Sequence, residues 1–158
     1  MGHPRRLKRK YETPKKMFSV ERIKRDKKII GEFGLRRKRE IWKAESMLRS
    51  FRRRARELQA QHDEDKEKYL LGKLIKLGLI NENEGIEKIL DLKVEDILNR
   101  RLQTIVHKKG FASTSLYARQ KIVHKHVTIN GIKINKPGFM VPKELEHAIS
   151  VKSLKEAK

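Results

Sequence analysis

The sequence predicts an α+β protein: a mainly helical N-terminal region, then a small unit in which two helices pack on a short three- to five-stranded antiparallel sheet. Ile41, Ala44, Leu48, Phe51, Ala55 and Leu58 recur at steps of 3, 4, 3, 4 and 3, the spacing of one helix face. Beyond His124 the period falls to two. Val127-Thr128-Ile129 and Ile132-Lys133-Ile134 flank Asn130-Gly131, the strongest two-residue hairpin signal. Charge divides the chain in the same sense. The 158 residues carry 41 Lys+Arg against 20 Asp+Glu, a net of +21. Residues 1–56 hold +16, residues 57–96 hold −5 and residues 97–158 hold +10.

Met1 to Lys16 carries Pro4 and Pro14 among Arg5, Arg6, Lys8, Arg9, Lys10, Lys15 and Lys16, and is expected to run extended. From Ser19, the spacing of Val20, Ile23, Lys27 and Ile30 predicts a short helix stopped by Gly31 and Gly34. A basic run, Arg36, Arg37, Lys38 and Arg39, leads into the long helix over 41–58. On that helix Arg49, Arg53 and Arg56 share a face beside the apolar one. Tyr69, Leu70, Leu71, Leu74, Ile75 and Leu77 predict a core helix ended at Gly78, and Ile86, Ile89, Leu90 and Leu92 a short amphipathic piece. Val94, Ile97, Leu98, Leu102, Ile105 and Val106 form one further helical stripe, closed by Lys108-Lys109-Gly110. Ser113 and Thr114 offer N-cap hydroxyls to a helix from Ser115 to about His124. The hairpin follows. Lys136-Pro137-Gly138 then turns the chain into a third strand at Phe139-Met140-Val141, and His147 to Val151 is a candidate fourth. The expected division is 1–93, a basic helical region with an extended arm; 94–151, the α+β unit; and 152–158, a flexible tail.

A surplus of this size repels itself in a compact state and points to an anionic partner, nucleic acid or acidic membrane, rather than to a metabolic enzyme. No Cys is present, so disulfides, Cys-type zinc sites and thiol nucleophiles are excluded. No apolar run approaches the ~20 residues of a membrane helix. The basic start has no apolar stretch behind it, which argues against a secretory signal and for an intracellular, soluble protein. Residues 97–158 contain no Asp, and their carboxylates are Glu144, Glu146 and Glu156. Phosphate-binding and dinucleotide loops are absent. His124 and His126 straddle a helix end, unfavourable for one shared metal. Catalysis, metals and cofactors are not expected.

Few carboxylates balance Arg49 to Arg56, which makes that face a candidate phosphate surface. In the last unit a tight turn brings Arg100, Arg101, Lys108, Lys109, Arg119, Lys121 and Lys125 into a small volume. Ser113 and Thr114 add an anion site at a helix start, and Gln120 and His124 lie on the second helix.

Arg101-Leu102-Gln103, Gly110-Phe111, Ala118-Arg119-Gln120, Val123-His124, Val127 and Asn130-Gly131, followed by Pro137, resemble the S-four RNA-binding domain. Lys10-Tyr11-Glu12-Thr13-Pro14, Gly34-Leu35-Arg36, Lys38-Arg39-Glu40-Ile41-Trp42 and Val94-Glu95-Asp96-Ile97-Leu98 extend the resemblance to the archaeal/eukaryotic branch of the small-subunit ribosomal S-four family. Gln103 stands where many members carry Asp, and Lys93 where a capping Ser or Thr is usual. The resemblance implies direct binding to small-subunit rRNA, early assembly of the subunit body near the mRNA entry side, and support of decoding accuracy. Neighbouring ribosomal proteins would be the other partners, in the cytoplasm and away from membranes. It also implies an RNA-facing Arg119, dispensable to the fold, since Asp96 and Glu95 are the only carboxylates expected near it. The alternatives are a free S-four-domain RNA chaperone or ribosome-recycling factor, and a helix-turn-helix DNA-binding protein.

Overall fold

A computed structural model describes residues 9, 11–16 and 18–152. Among these residues, seven helices lead into one small sheet: α1 (Val20–Phe33), α2 (Lys38–Gln61), α3 (Glu64–Lys76), α4 (Lys88–Asp91), α5 (Val94–Asn99), α6 (Leu102–Lys108) and α7 (Ser115–Val123), then β1 (Val127–Ile129), β2 (Ile132–Lys133), a 3-10 turn (Lys143–Glu146) and β3 (Ile149–Val151). None of these helices is long and apolar enough to cross a membrane. The α+β class follows.

The 3-4 spacing of α2 sets the first core. Ile41, Ala44, Leu48, Phe51, Ala55 and Leu58 are all buried along one side of the 24-residue helix. They pack with Ile29 and Phe33 of α1, Leu70 and Leu74 of α3, Ile89 of α4, and Ile97 and Leu98 of α5. The second core gathers Leu102, Ile105 and Val106 of α6, Ala118 and Ile122 of α7, and Val127, Ile129 and Ile149 of the sheet. Truncating a fully buried residue of either set to Ala costs about 2–5 kcal/mol, by lost transfer energy and the cavity left behind.

Four sequence expectations are corrected. Gly31 does not stop α1; the helix runs on to Phe33, and Gly34 alone forms the left-handed cap, at φ 58°. The stripe 94–106 is two helices, broken at Arg100–Arg101. There Leu102 N–H donates to Phe139 O (2.8 Å) and Val141 N–H to Arg100 O (3.0 Å), so the 137–141 segment claims backbone groups that a continuous helix would need. Apolar spacing continues through the break and cannot reveal it. The break also moves the division between the units: α5 buries its side chains in the first core, so the second begins near 100 rather than at 94. Finally, Phe139–Val141 contributes one bridge, Arg101 to Met140, instead of a strand. The third strand is Ile149–Val151, antiparallel to β1 in the order β2-β1-β3, with Val127 opposite Val151 and Ile129 opposite Ile149.

The hairpin and the α7 cap form as expected. Asn130 (φ 49°) and Gly131 (φ 78°) both take the positive φ that a tight two-residue turn requires. Thr114 Oγ accepts from Tyr117 N–H at 3.1 Å. At α5 the Lys93 side chain supplies no acceptor; the Asp96 carboxylate accepts the Lys93 N–H instead, at 2.7 Å.

Candidate nucleic-acid interface

Helix α2 carries its arginines beside the core face, and α1 lies along it. Arg22 and Arg25 of α1 join Arg49, Arg52, Arg53 and Arg56 of α2 around one open groove. Its floor holds a single carboxylate, Glu45, which accepts from Arg22 Nη2 (2.6 Å) and Arg25 Nη2 (2.5 Å). Asp26, buried beneath, lies 3.9 Å from Arg22 and 3.6 Å from Arg25. Arg52 is spent on the Leu92 carbonyl (2.6 Å), which ties α2 to the start of α5. Arg49 pairs with Glu12 and Arg53 with Glu57, both at exposed positions. Exposed pairs of this kind are screened by solvent and yield readily to a phosphate. Arg56 makes no side-chain hydrogen bond or ion pair among the described residues. The sequence singles out Arg49, Arg53 and Arg56 as one face; the packing of α1 on α2 adds Arg22, Arg25 and Arg52 to the same groove. The three-residue step between Arg22 and Arg25 was the available signal.

Along the rest of the N-terminal region, Arg9, Lys15, Lys16, Arg36, Arg37, Lys38 and Arg39 are all exposed. Arg5, Arg6, Lys8 and Lys10 lie outside the described residues, as does the tail from 153 onward.

The cations of the second unit separate into two groups. Lys108, Ser113, Gln120, His124 and Lys125 are exposed and form no side-chain bonds among the described residues. Lys109 reaches the Glu146 carbonyl. Lys121 donates to Phe111 O at 2.8 Å and sits 4.7 Å over the Tyr117 ring. These two keep exposed or partly exposed positions. The His124 and His126 rings are 6.3 Å apart, and no three His, Asp or Glu side chains converge among the described residues.

Arg100, Arg101 and Arg119 are turned inward, against the expectation that they face RNA. Arg100 donates to Glu146 and to the Val141 carbonyl, each at 3.0 Å. Arg101, with its side chain 8% exposed, pairs with Glu40 of α2. Arg119 grips the same carboxylate bidentately, Nη1 to Oε2 and Nη2 to Oε1 at 3.1 Å each, and Nη1 also reaches Gln103 Oε1 at 3.2 Å. Glu40 is thus the partner of Arg119, and not Asp96 or Glu95; 79 residues separate the two in sequence, and only the packing of the two units brings them together. Burial opposes ionisation of Glu40, but the hydrogen bonds and charges of Arg119 and Arg101 outweigh it and hold its pKa down at about 2.

Gln103 completes this joint. It is 1% exposed, and its amide nitrogen shares two N–H groups among the carbonyls of Phe33 (3.1 Å), Gly34 (2.8 Å) and Ser115 (3.0 Å). An Asp here has no N–H to give them. Gly34 is required at the same place: a Cβ on it would lie 2.8 Å from Ser115 Cβ. The end of α1 and the starts of α6 and α7 are therefore locked together, and the two cationic surfaces keep a fixed relation.

Comparison with known proteins bears on what these surfaces meet. Residues 100–146 match the S4 domain family, a start that coincides with the break between α5 and α6. The chain is 45% identical to the small ribosomal subunit protein uS4 of Methanothermobacter thermautotrophicus over 152 residues, covering 94% of this chain and 89% of that one. The protein of the same name from Methanosphaera stadtmanae is 46% identical, with 94% and 84% covered. That from Ignicoccus hospitalis is 45% identical, with 94% and 92% covered.

Proposed function

The chain belongs to the small ribosomal subunit protein uS4 family, and we propose that it is a structural constituent of the small ribosomal subunit that binds rRNA directly through two cationic surfaces. The observation that carries the rRNA reading is the α1–α2 groove, which among the described residues is lined by six guanidinium groups and one carboxylate. Arginine forks suit phosphate oxygens, and folded RNA presents phosphates on a fixed surface. The second surface is the exposed set Lys108, Ser113, Gln120, His124 and Lys125, with Lys109 and Lys121 beside it. Because Gln103 and Glu40 join the units, binding reads the spacing between two rRNA segments as well as their charge. This supports an early role in folding the subunit body, and the family resemblance adds a site near the mRNA entry and a part in decoding accuracy. The role is binding rather than catalysis.

The test is sedimentation of the tagged protein with small subunits as salt is raised. Co-sedimentation that persists through washes which strip loosely held factors is the expected result. Release at moderate salt would point to a free RNA chaperone or recycling factor.

A further inference from the structure

Helix α2 has three faces. At about 100° per residue the core face and the arginine face leave a third side, on which Lys43, Met47, Ser50 and Arg54 fall in line. Met140 of the 137–141 segment, and Lys73 and Leu77 of α3, rise beside that line, so that two adjoining hollows, which share Lys43, Met47 and Met140, form one groove. Its floor is apolar: Met47 is 38% exposed, and Met140 and Leu77 are half-buried. Its rim is cationic. Lys43, Arg54 and Lys73 are exposed and have no ion-pair partner among the described residues.

We propose that this groove seats an acidic amphipathic segment of a neighbouring protein, its apolar side on Met47, Met140 and Leu77 and its carboxylates on Lys43, Arg54 and Lys73. Charge complementarity chooses the occupant. A phosphate backbone would neutralise the rim but leave the thioether and leucine floor without a partner, whereas an acidic helix satisfies both. The twelve residues from Lys43 to Arg54 span about 16 Å, or three turns of a docked helix. The arginine face lies more than 90° around α2, so rRNA and the segment can be held together. The proposal rests on the ribosomal reading only for where the partner is found.

The chain contains no Cys, so Met47→Cys creates a single thiol for a benzophenone crosslinker. Small subunits are reconstituted with this protein, irradiated, and the adduct is sequenced; Arg53→Cys runs in parallel, and Ser50→Cys replaces Met47→Cys should that variant not assemble. Position 47 should join a protein segment with net negative charge and apolar residues at helical spacing, while position 53 joins rRNA. Adding Lys43→Glu and Arg54→Glu should cut the protein adduct at least about tenfold and leave the Arg53 adduct in place. An rRNA adduct, a basic segment or no adduct at position 47 overturns the proposal. Failure of position 53 to meet rRNA counts instead against the arginine groove as an rRNA surface.

Discussion

Replacing Glu40 by Gln keeps the shape of the joint and removes its charge. The wild-type carboxylate is held at about 2 from an ordinary 4.5; at about 1.4 kcal/mol per pH unit that gap is worth on the order of 3 kcal/mol. Its side chain is only 18% exposed, so solvent screening removes little. The variant also strands Arg101, whose removal from its partner falls in the range of about 3–5 kcal/mol for breaking a buried pair. For a chain of 158 residues a loss of about 3 kcal/mol lowers the melting midpoint by roughly 6–12 °C. The sign with pH is fixed. A carboxylate with a depressed folded pKa contributes fully above about 4.5, and the contribution fades as pH falls toward 2. Urea melts of both proteins at pH 6 and pH 3 should show the wild-type advantage smaller by about 2 kcal/mol at pH 3. A difference below about 1 kcal/mol at pH 6, or one unchanged at pH 3, would refute the joint as drawn.

Arg119→Ala takes the donor from Gln103 Oε1 and the bidentate partner from Glu40, whose oxygens keep only the Arg36 N–H and Arg101, so it should destabilise the free protein by about 2–3 kcal/mol in chemical denaturation; a normal midpoint with weakened rRNA binding would restore Arg119 to the RNA surface. Gln103→Leu removes the donor shared by the carbonyls of Phe33, Gly34 and Ser115 and should cost about 2–4 kcal/mol by the same measurement. Gly34→Ala meets both a positive φ and a 2.8 Å approach to Ser115, and should lower the melting midpoint more than Gly31→Ala, where the space is open. Replacing Arg49, Arg53 and Arg56 together by Ser should reduce the log–log salt slope of rRNA binding by about 2–3 in filter-binding titrations.

Local pattern carried most of the helices, because a buried face has to repeat at 3 and 4, and it carried the hairpin, because Asn130-Gly131 admits few other turns. The break at Arg100–Arg101 was illegible, since its cause is a backbone contact from residues 137–141 and the apolar spacing runs through it unchanged. The exposed cations of α2 were legible as an unbalanced face. The inward turn of Arg101 and Arg119 was not, because their counter-ion, Glu40, lies 61 and 79 residues away. An arginine in an RNA-binding family reads as a phosphate ligand until its carboxylate is found in space. Gln103 was visible only as a departure from Asp; the three carbonyls it serves explain the change.

Direct rRNA binding through two cationic surfaces held in a fixed relation underlies all of these expectations. Filter binding of the purified chain to protein-free small-subunit rRNA, against large-subunit rRNA of matched length at physiological salt, tests it most directly. A preference of at least about 10²-fold for the small-subunit RNA is expected, since nonspecific charge alone discriminates little, and Glu40→Gln should narrow that preference at a temperature where the variant is still folded. Equal affinity for the two RNAs would contradict it.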